Sequence, residues 1–364
     1  MPSHTYFFTG FPGFIATRLV EKLFDQDPSS RFLLLVHPSQ QEKAEKVISQ
    51  LTQKKAGSRG CFIPIPGDIT KENLDIPQQR MERLREEIDY VFHLAAIYDL
   101  AVSKETAYKV NVTGTRNVND FVLSLSGLKR YVYFSTAYVS GKRTGRILET
   151  ELDEGQSFKN HYEASKFEAE VITQKIMKQV PLTIIRPGIV MGDSKTGETV
   201  KFDGPYFVMR YLDKFSRFPI PYPGRGKALL NLVPVDYIVD ATCYLATHPV
   251  GEGKVYHLTD PNPYPAREAF GIICETLVGK KASFTLPSFI VYGLLSIPAF
   301  RRWLMVEKET IEYFRLKAEY DCSQALEDLK DSGVKCADFK DYIQVCVKFY
   351  ENHRHDPDKM IEVR

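Results

Sequence analysis

Short apolar runs alternate with longer amphipathic segments through the first half of the chain. The apolar runs at 5–8, 32–36, 62–64, 90–94, 130–134 and 182–186 have strand length. The segments between them, at 14–24, 41–54, 80–87, 112–124 and 161–177, carry apolar residues at helical spacing, as Ala164, Phe167 and Val171 do in the last. Strand–helix alternation of this kind predicts an α/β fold in which a doubly wound parallel sheet is wrapped by helices on both faces. Beyond residue 195 the pattern loosens. Prolines and aromatics crowd 205–223, which predicts irregular chain around a pocket. Residues 231–234 and 254–258 read as further strands, separated by a helix at 236–247. From residue 307 the chain reads as helical and polar, ending in a charged, frayed segment from His353.

Length turns this pattern into a domain expectation. At 364 residues the chain exceeds the ~250–300 at which single cores stop growing. A nucleotide-binding domain at 1–195, to which 231–258 returns, is expected beside a smaller substrate lobe at 196–364. One stretch of that lobe, 286–300, is strongly apolar. Its fifteen residues, with Pro298 inside, fall short of the ~20 that span a bilayer. It is expected to form a lid over the substrate cleft, with peripheral membrane contact as the other reading.

Charge and cysteine usage exclude some classes. With 48 basic and 46 acidic residues the net charge is +2, so no nucleic-acid footprint is present. The six cysteines contain no C-x-x-C pair and read as reduced thiols, not as a disulfide frame or zinc site. His353 and His355 beside Asp356 read as a solvated tail, so no metal is expected. Together with the lack of a secretory signal, this points to a cytoplasmic protein, monomeric or homodimeric.

Candidate chemistry lies in three places. Thr9-Gly10-Phe11-Pro12-Gly13 joins the first strand to a helix opening at Phe14-Ile15-Ala16. Small residues there let backbone approach a pyrophosphate, which the helix N-terminus stabilises, as in Rossmann-type domains. Phe134-Ser135-Thr136 ends an apolar strand, and Tyr162 and Lys166 lie four apart, one helical turn, in His161-Tyr-Glu-Ala-Ser-Lys166. A phenol titrates near ~10, and an ammonium one turn away is expected to lower that value. With a hydroxyl to hold a carbonyl oxygen, this is apparatus for moving a proton on or off oxygen while hydride moves at the attached carbon. The second strand ends Val36-His37-Pro38-Ser39 with no carboxylate to repel a 2′-phosphate. His37 and Ser39 could donate to that phosphate, so NADP(H) is favoured and NAD(H) is not excluded.

The turn at 9–16 resembles the T-G-x-x-G-x-x-G/A of the extended short-chain dehydrogenase/reductases. The resemblance continues through Gly67-Asp68-Ile69, His93-Leu94-Ala95-Ala96, Asn111-Val-Thr-Gly114-Thr-Arg-Asn117 and Arg186-Pro187-Gly188-Ile189. It implies that Asp68 and Ile69 contact adenine, that Ala95 and Ala96 lie beneath the nicotinamide ribose, and that the backbone at Pro187, Gly188 and Ile189 holds the carboxamide. It further implies a catalytic set of Thr136, with Ser135 as a stand-in, Tyr162 as proton donor, and Lys166 tuning the tyrosine and holding the ribose. Asn111 is expected to brace this set, and His93 to be structural.

Within the family, residues 9–16, Phe134-Ser-Thr-Ala-Tyr-Val139, Asn231-Leu-Val-Pro-Val-Asp236 and Tyr320-Asp-Cys-Ser323 most resemble the thioester-reductase and fatty-acyl reductase (male sterility) branch. That likeness implies NADPH-dependent reduction of an apolar carbonyl or acyl thioester, linked to CoA or a carrier protein. Tyr98, Ser135, Phe202 and Tyr206 are candidate substrate contacts. The alternative is another extended-family activity, such as a sugar-nucleotide epimerase or dehydratase, or a hydroxysteroid- or flavanonol-type alcohol dehydrogenase.

Overall fold

The computed structural model describes residues 2–55, 57–99, 101–224, 226–304 and 316–360. Seven parallel strands form its central sheet in the spatial order Lys254–Leu258, Leu182–Pro187, Arg130–Phe134, Tyr90–His93, Thr5–Thr9, Arg31–Val36, Phe62–Pro66. The order reverses between Thr5–Thr9 and Tyr90–His93. In open α/β sheets, a crevice for ligands opens at such a switch point, outside the carboxyl ends of the strands. Both faces of the sheet are buried, which explains the continuous apolar runs. Along Thr5–Thr9 the pleat sends Tyr6 and Phe8 to one face, against Leu19, Leu23 and Ile238, and Phe7 to the other, against Val118 and Phe121.

The helices Phe14–Gln26 and Val235–Thr247 cover the first face, and Gly114–Leu123 and His161–Gln174 the second. Two later segments also return to this body. Ala318–Tyr320 pairs in parallel with Gly145–Ile147, and Ser323–Leu329 packs Ala325 and Leu329 into the first core.

The second lobe departs from the sequence reading in three ways. Residues 205–223 are not irregular throughout: Tyr206–Phe215 is a helix that buries Tyr206, Phe207, Met209, Arg210 and Leu212. Prolines at 205, 219, 221 and 223 bracket it and disguise its period. The tail is not simply polar either. Phe339–His353 buries Phe339, Tyr342, Ile343, Cys346, Val347 and Tyr350, a three-four spacing that makes one face of this helix lobe core. From Arg354 to Lys359 the chain is tied down instead of fraying. Arg354 pairs with Asp213, Lys359 donates to Thr199 O at 2.9 Å, and Phe202 N–H donates to Lys359 O at 2.9 Å. The expected helical stretch at 307–315 lies outside the described residues.

The apolar segment 286–300 is also not one helix. It divides into Ser288–Leu295 and Pro298–Leu304, with Pro298 at the first position of the second helix. Both dock on Tyr206–Phe215, through Leu295 and Leu304 against Phe207. No helix among the described residues is long and apolar enough to cross a membrane.

Candidate active site

Gly10 turns the chain out of the first strand at φ +86°, and a Cβ there would lie 2.7 Å from Ala95 N and 2.8 Å from Leu94 C. Only glycine allows the turn to lie on the end of Tyr90–His93. Gly13 follows, its N–H donating to Gly10 O at 2.7 Å. Gly13 is also the N-cap residue of Phe14–Gln26, and no side chain caps that helix start. Such an end offers free backbone donors and a positive dipole to an anion. The cradle and the uncapped terminus fit a dinucleotide pyrophosphate.

At the adenosine end, His37 and Ser39 are exposed and joined, His37 Nδ1 to Ser39 Oγ at 2.7 Å. Asp68 accepts from Thr70 N–H at 2.8 Å, and its carboxylate lies 3.9 Å from His37 Nε2. The Asn111–Asn117 segment braces the loops around the site. Gly114 packs on Ile69, where a Cβ would meet Ile69 Cδ1 at 2.6 Å, and Asn117 Nδ2 donates to Ile69 O at 2.7 Å. Asn111, in a turn of π-helix, accepts from Ile97 N–H at 2.9 Å and donates to Ser165 Oγ at 2.9 Å. It thereby ties the loop after Tyr90–His93 to the Tyr162 helix.

Thr136, Tyr162 and Lys166 come from two elements beside the switch point. Thr136 follows the strand Arg130–Phe134, is buried, and accepts from Tyr138 N–H at 3.3 Å. Tyr162 opens the helix His161–Gln174, which Asn160 caps by accepting from Glu163 N–H at 2.9 Å. Tyr98, 56% exposed, stands edge-on to Tyr162 with ring centroids 5.1 Å apart.

Lys166 is buried, and its ammonium donates to Phe134 O at 2.6 Å and to Tyr133 Oη at 3.2 Å. Burial pushes its pKa down to about 7, against an opposing pull from Glu170. Burial, together with the Glu163 charge, raises Tyr162 well above the ordinary phenol range. The expectation that Lys166 lowers the Tyr162 pKa therefore does not hold in the free protein. The ammonium is held by a strand-end carbonyl, and desolvation dominates the phenol.

Beneath this group runs a buried polar chain that the sequence reading missed. Tyr133 is bonded to Thr115, Thr115 to His93 Nε2 at 3.0 Å, and His93 Nδ1 to Thr9 Oγ1 at 2.7 Å. His93 is neutral, its pKa pushed down to about 3 by burial and by the Lys166 charge, which fits a structural role. The signal available was a polar side chain, Tyr133 or His93, within an otherwise apolar buried strand.

Three candidate substrate contacts are committed elsewhere. Ser135 donates its hydroxyl to Glu170, which also pairs with Arg186. Phe202 and Tyr206 are fully buried in the second-lobe core, where Tyr206 Oη accepts from Gly192 N–H at 3.2 Å. At the carboxamide position the Gly188 and Ile189 N–H groups already donate to Leu258 O at 3.0 Å and Asn231 O at 2.7 Å.

The sequence profile of the male sterility protein family matches residues 8–242. An alcohol-forming fatty acyl-CoA reductase from Simmondsia chinensis is 26% identical over 309 residues, covering 64% of this chain and 61% of the relative. The nonribosomal peptide synthetase cpsA of Aspergillus campestris is 28% identical over 268 residues, 69% of this chain and 25% of the relative. The chain thus spans between a quarter and about three fifths of these relatives' length. Among solved structures, the terminal R domain of the myxalamid biosynthetic pathway superposes with a TM-score of 0.82 at 25% identity, covering 98% of this chain and 92% of that one. The match over residues 8–242, more than half of the chain, makes this protein a member of the male sterility family, in the thioester-reductase branch of the extended short-chain, NAD(P)-dependent oxidoreductases.

Proposed function

We propose that the protein reduces an acyl thioester, borne by CoA or a carrier protein, to an aldehyde at the expense of NADPH. The observation that carries this reading is the grouping of Thr136, Tyr162 and Lys166 next to an uncapped, glycine-opened helix start at the sheet's switch point. The relatives named as fatty acyl-CoA reductases and the R-domain likeness support the thioester as substrate.

A reduced nicotinamide supplies the hydride. Thr136 Oγ1 donates to the carbonyl oxygen and orients the acyl carbon. Charge gathers on that oxygen as the carbonyl is reduced, and loss of the thiolate restores the double bond, giving an aldehyde and a thiol. Tyr162, kept protonated by its burial, is the nearby acid. In a second reduction, of aldehyde to alcohol, Tyr162 would deliver the proton to the carbonyl oxygen. Lys166 holds the ribose end of the cofactor and restores the Tyr162 proton, a task suited to an amine titrating at about 7. Tyr98 limits water at the phenol.

NADP(H) over NAD(H) is supported by more than His37 and Ser39. Lys43, on the first turn of Gln41–Lys54, has its pKa lowered by desolvation and, secondarily, by the charge of Lys201. Among the described residues Lys43 has no ion-pair partner. A cation on the first turn of the helix that follows the second strand suits a phosphate.

The test is NADPH oxidation followed at its absorbance maximum with a long-chain acyl-CoA, an aliphatic aldehyde and a UDP-sugar. Consumption with the first two supports the proposal. Turnover of the UDP-sugar without net consumption, and none with the others, would favour an epimerase.

A further inference from the structure

Of the twelve large apolar side chains exposed among the described residues, seven fall between Phe218 and Trp303. Phe289 is 75% exposed, Phe218 63%, Phe284 51%, Ile297 50% and Trp303 48%. Several packed elements carry them at one part of the second lobe. Phe284–Leu286 pairs with Pro221–Pro223, next to Phe218. The helices Ser288–Leu295 and Pro298–Leu304 dock on Tyr206–Phe215, and the Trp303 ring stands edge-on to Phe215 at 5.9 Å. The docking uses only one side of these helices, leaving Phe289 and Leu294 outward, with Ile297 exposed in the turn between them. A patch of this kind marks an interaction site.

Its charge says what it meets. Residues 214–235 and 276–304 contain no aspartate or glutamate. Lys214 lies 5.4 Å from the Trp303 ring, Lys280 donates to Ser216 O at 2.9 Å, and Arg217, Lys281, Arg301 and Arg302 belong to the same segments. Among the described residues the acidic neighbours are engaged, Asp213 with Arg354 and Glu275 with Lys281. In a chain of net charge +2, this gathers six cations, one of them paired with Glu275, around exposed aromatic and aliphatic groups. A second copy of the chain, docked symmetrically, would set these cations against themselves.

We propose that this face docks on an anionic lipid surface, its apolar side chains entering the headgroup boundary and its cations pairing with the phosphates. The inference deepens the reductase reading by stating where an apolar acyl substrate is met. Its test uses no turnover, so either can fail alone.

Trp303 is the chain's only tryptophan and serves as the probe. Its emission and protein co-sedimentation are measured with vesicles of phosphatidylcholine alone and of phosphatidylcholine mixed equally with phosphatidylglycerol, at about 0.1 M salt. The expected result is a blue shift and sedimentation with the mixed vesicles, reversed near 1 M salt, where screening is complete within a few ångströms. Each neutralised cation, tested as Lys280→Ser and Lys281→Ser, is expected to weaken vesicle affinity about fivefold. Phe289→Ser with Ile297→Ser should abolish the blue shift while NADPH binding, read by nucleotide fluorescence, stays intact. No shift with either vesicle, equal binding to both, or a shift arising from concentration-dependent dimers without vesicles would overturn the proposal.

Discussion

Glu170→Gln tests whether the buried network behind the active site holds the molecule together. Glu170 and Arg186 are 0% and 1% exposed, and the guanidinium donates to the carboxylate from Nε at 3.0 and 3.1 Å and from Nη2 at 2.6 Å. Ser135 and Gln174 donate to the same carboxylate, so all five contacts require an acceptor. An amide in its place turns one acceptor into a donor facing other donors and leaves the guanidinium without a counter-charge. The remaining Arg186 partners, Glu149 O and His257 Nε2, are neutral. Breaking one side of a buried pair costs ~3–5 kcal/mol. At ~2 °C per kcal/mol for a large domain, the melting temperature should fall by about 6–10 °C. Circular dichroism melts of both proteins at pH 7.5 read this directly. A variant melting within ~2 °C of wild type would show that the pair is worth no more than the amide, and that the network is not what fixes Ser135 and the Tyr162 helix.

Two further outcomes follow from the geometry. Gly10→Ala places a methyl against Ala95 N at 2.7 Å in a backbone of φ +86°, so NADPH affinity should drop at least about tenfold, by direct titration; unchanged affinity would mean the turn can shift without cost. His93 and His257 are both held near a pKa of about 3 by burial, and His257 is fixed neutral because Arg186 donates to its Nε2 and its Nδ1–H donates to Asp321 O. Their folded values lie below the unfolded ~6.5, so as pH falls below that value the unfolded chain takes up protons that the folded one refuses. Together they should remove about 2–3 kcal/mol of stability between pH 6 and pH 5; equal urea midpoints at the two values would contradict the buried neutral assignment.

The inner strands were legible because burial on both faces writes them as largely apolar runs. The strands Arg130–Phe134 and Lys254–Leu258 and the helix Gln41–Lys54 have the ends read from sequence. Motif spacing set the candidates Thr136, Tyr162 and Lys166 on a strand end and a helix turn, and those local positions hold in the structure. What hid was tertiary. Nothing near Lys166 in sequence announces that Phe134 O will hold its ammonium, and nothing at Ser135 announces Glu170. The three-residue strand Ala318–Tyr320 is defined only by its distant partner Gly145–Ile147. The core face of Phe339–His353 was written in three-four spacing, but between lysines and aspartates that read as solvated tail.

The central claim is that Tyr162 is the acid of a hydride-transfer site, and Tyr162→Phe measures it most directly. NADPH oxidation with a long-chain acyl-CoA and with an aliphatic aldehyde should be followed for both proteins, with NADPH affinity determined separately. Removing the phenol hydroxyl should lower kcat for the aldehyde by ~10²–10⁴-fold and leave NADPH affinity within about threefold, since the cradle at Gly10–Gly13 is untouched. A Phe variant whose kcat stays within about threefold of wild type, with cofactor bound equally well, would contradict the account.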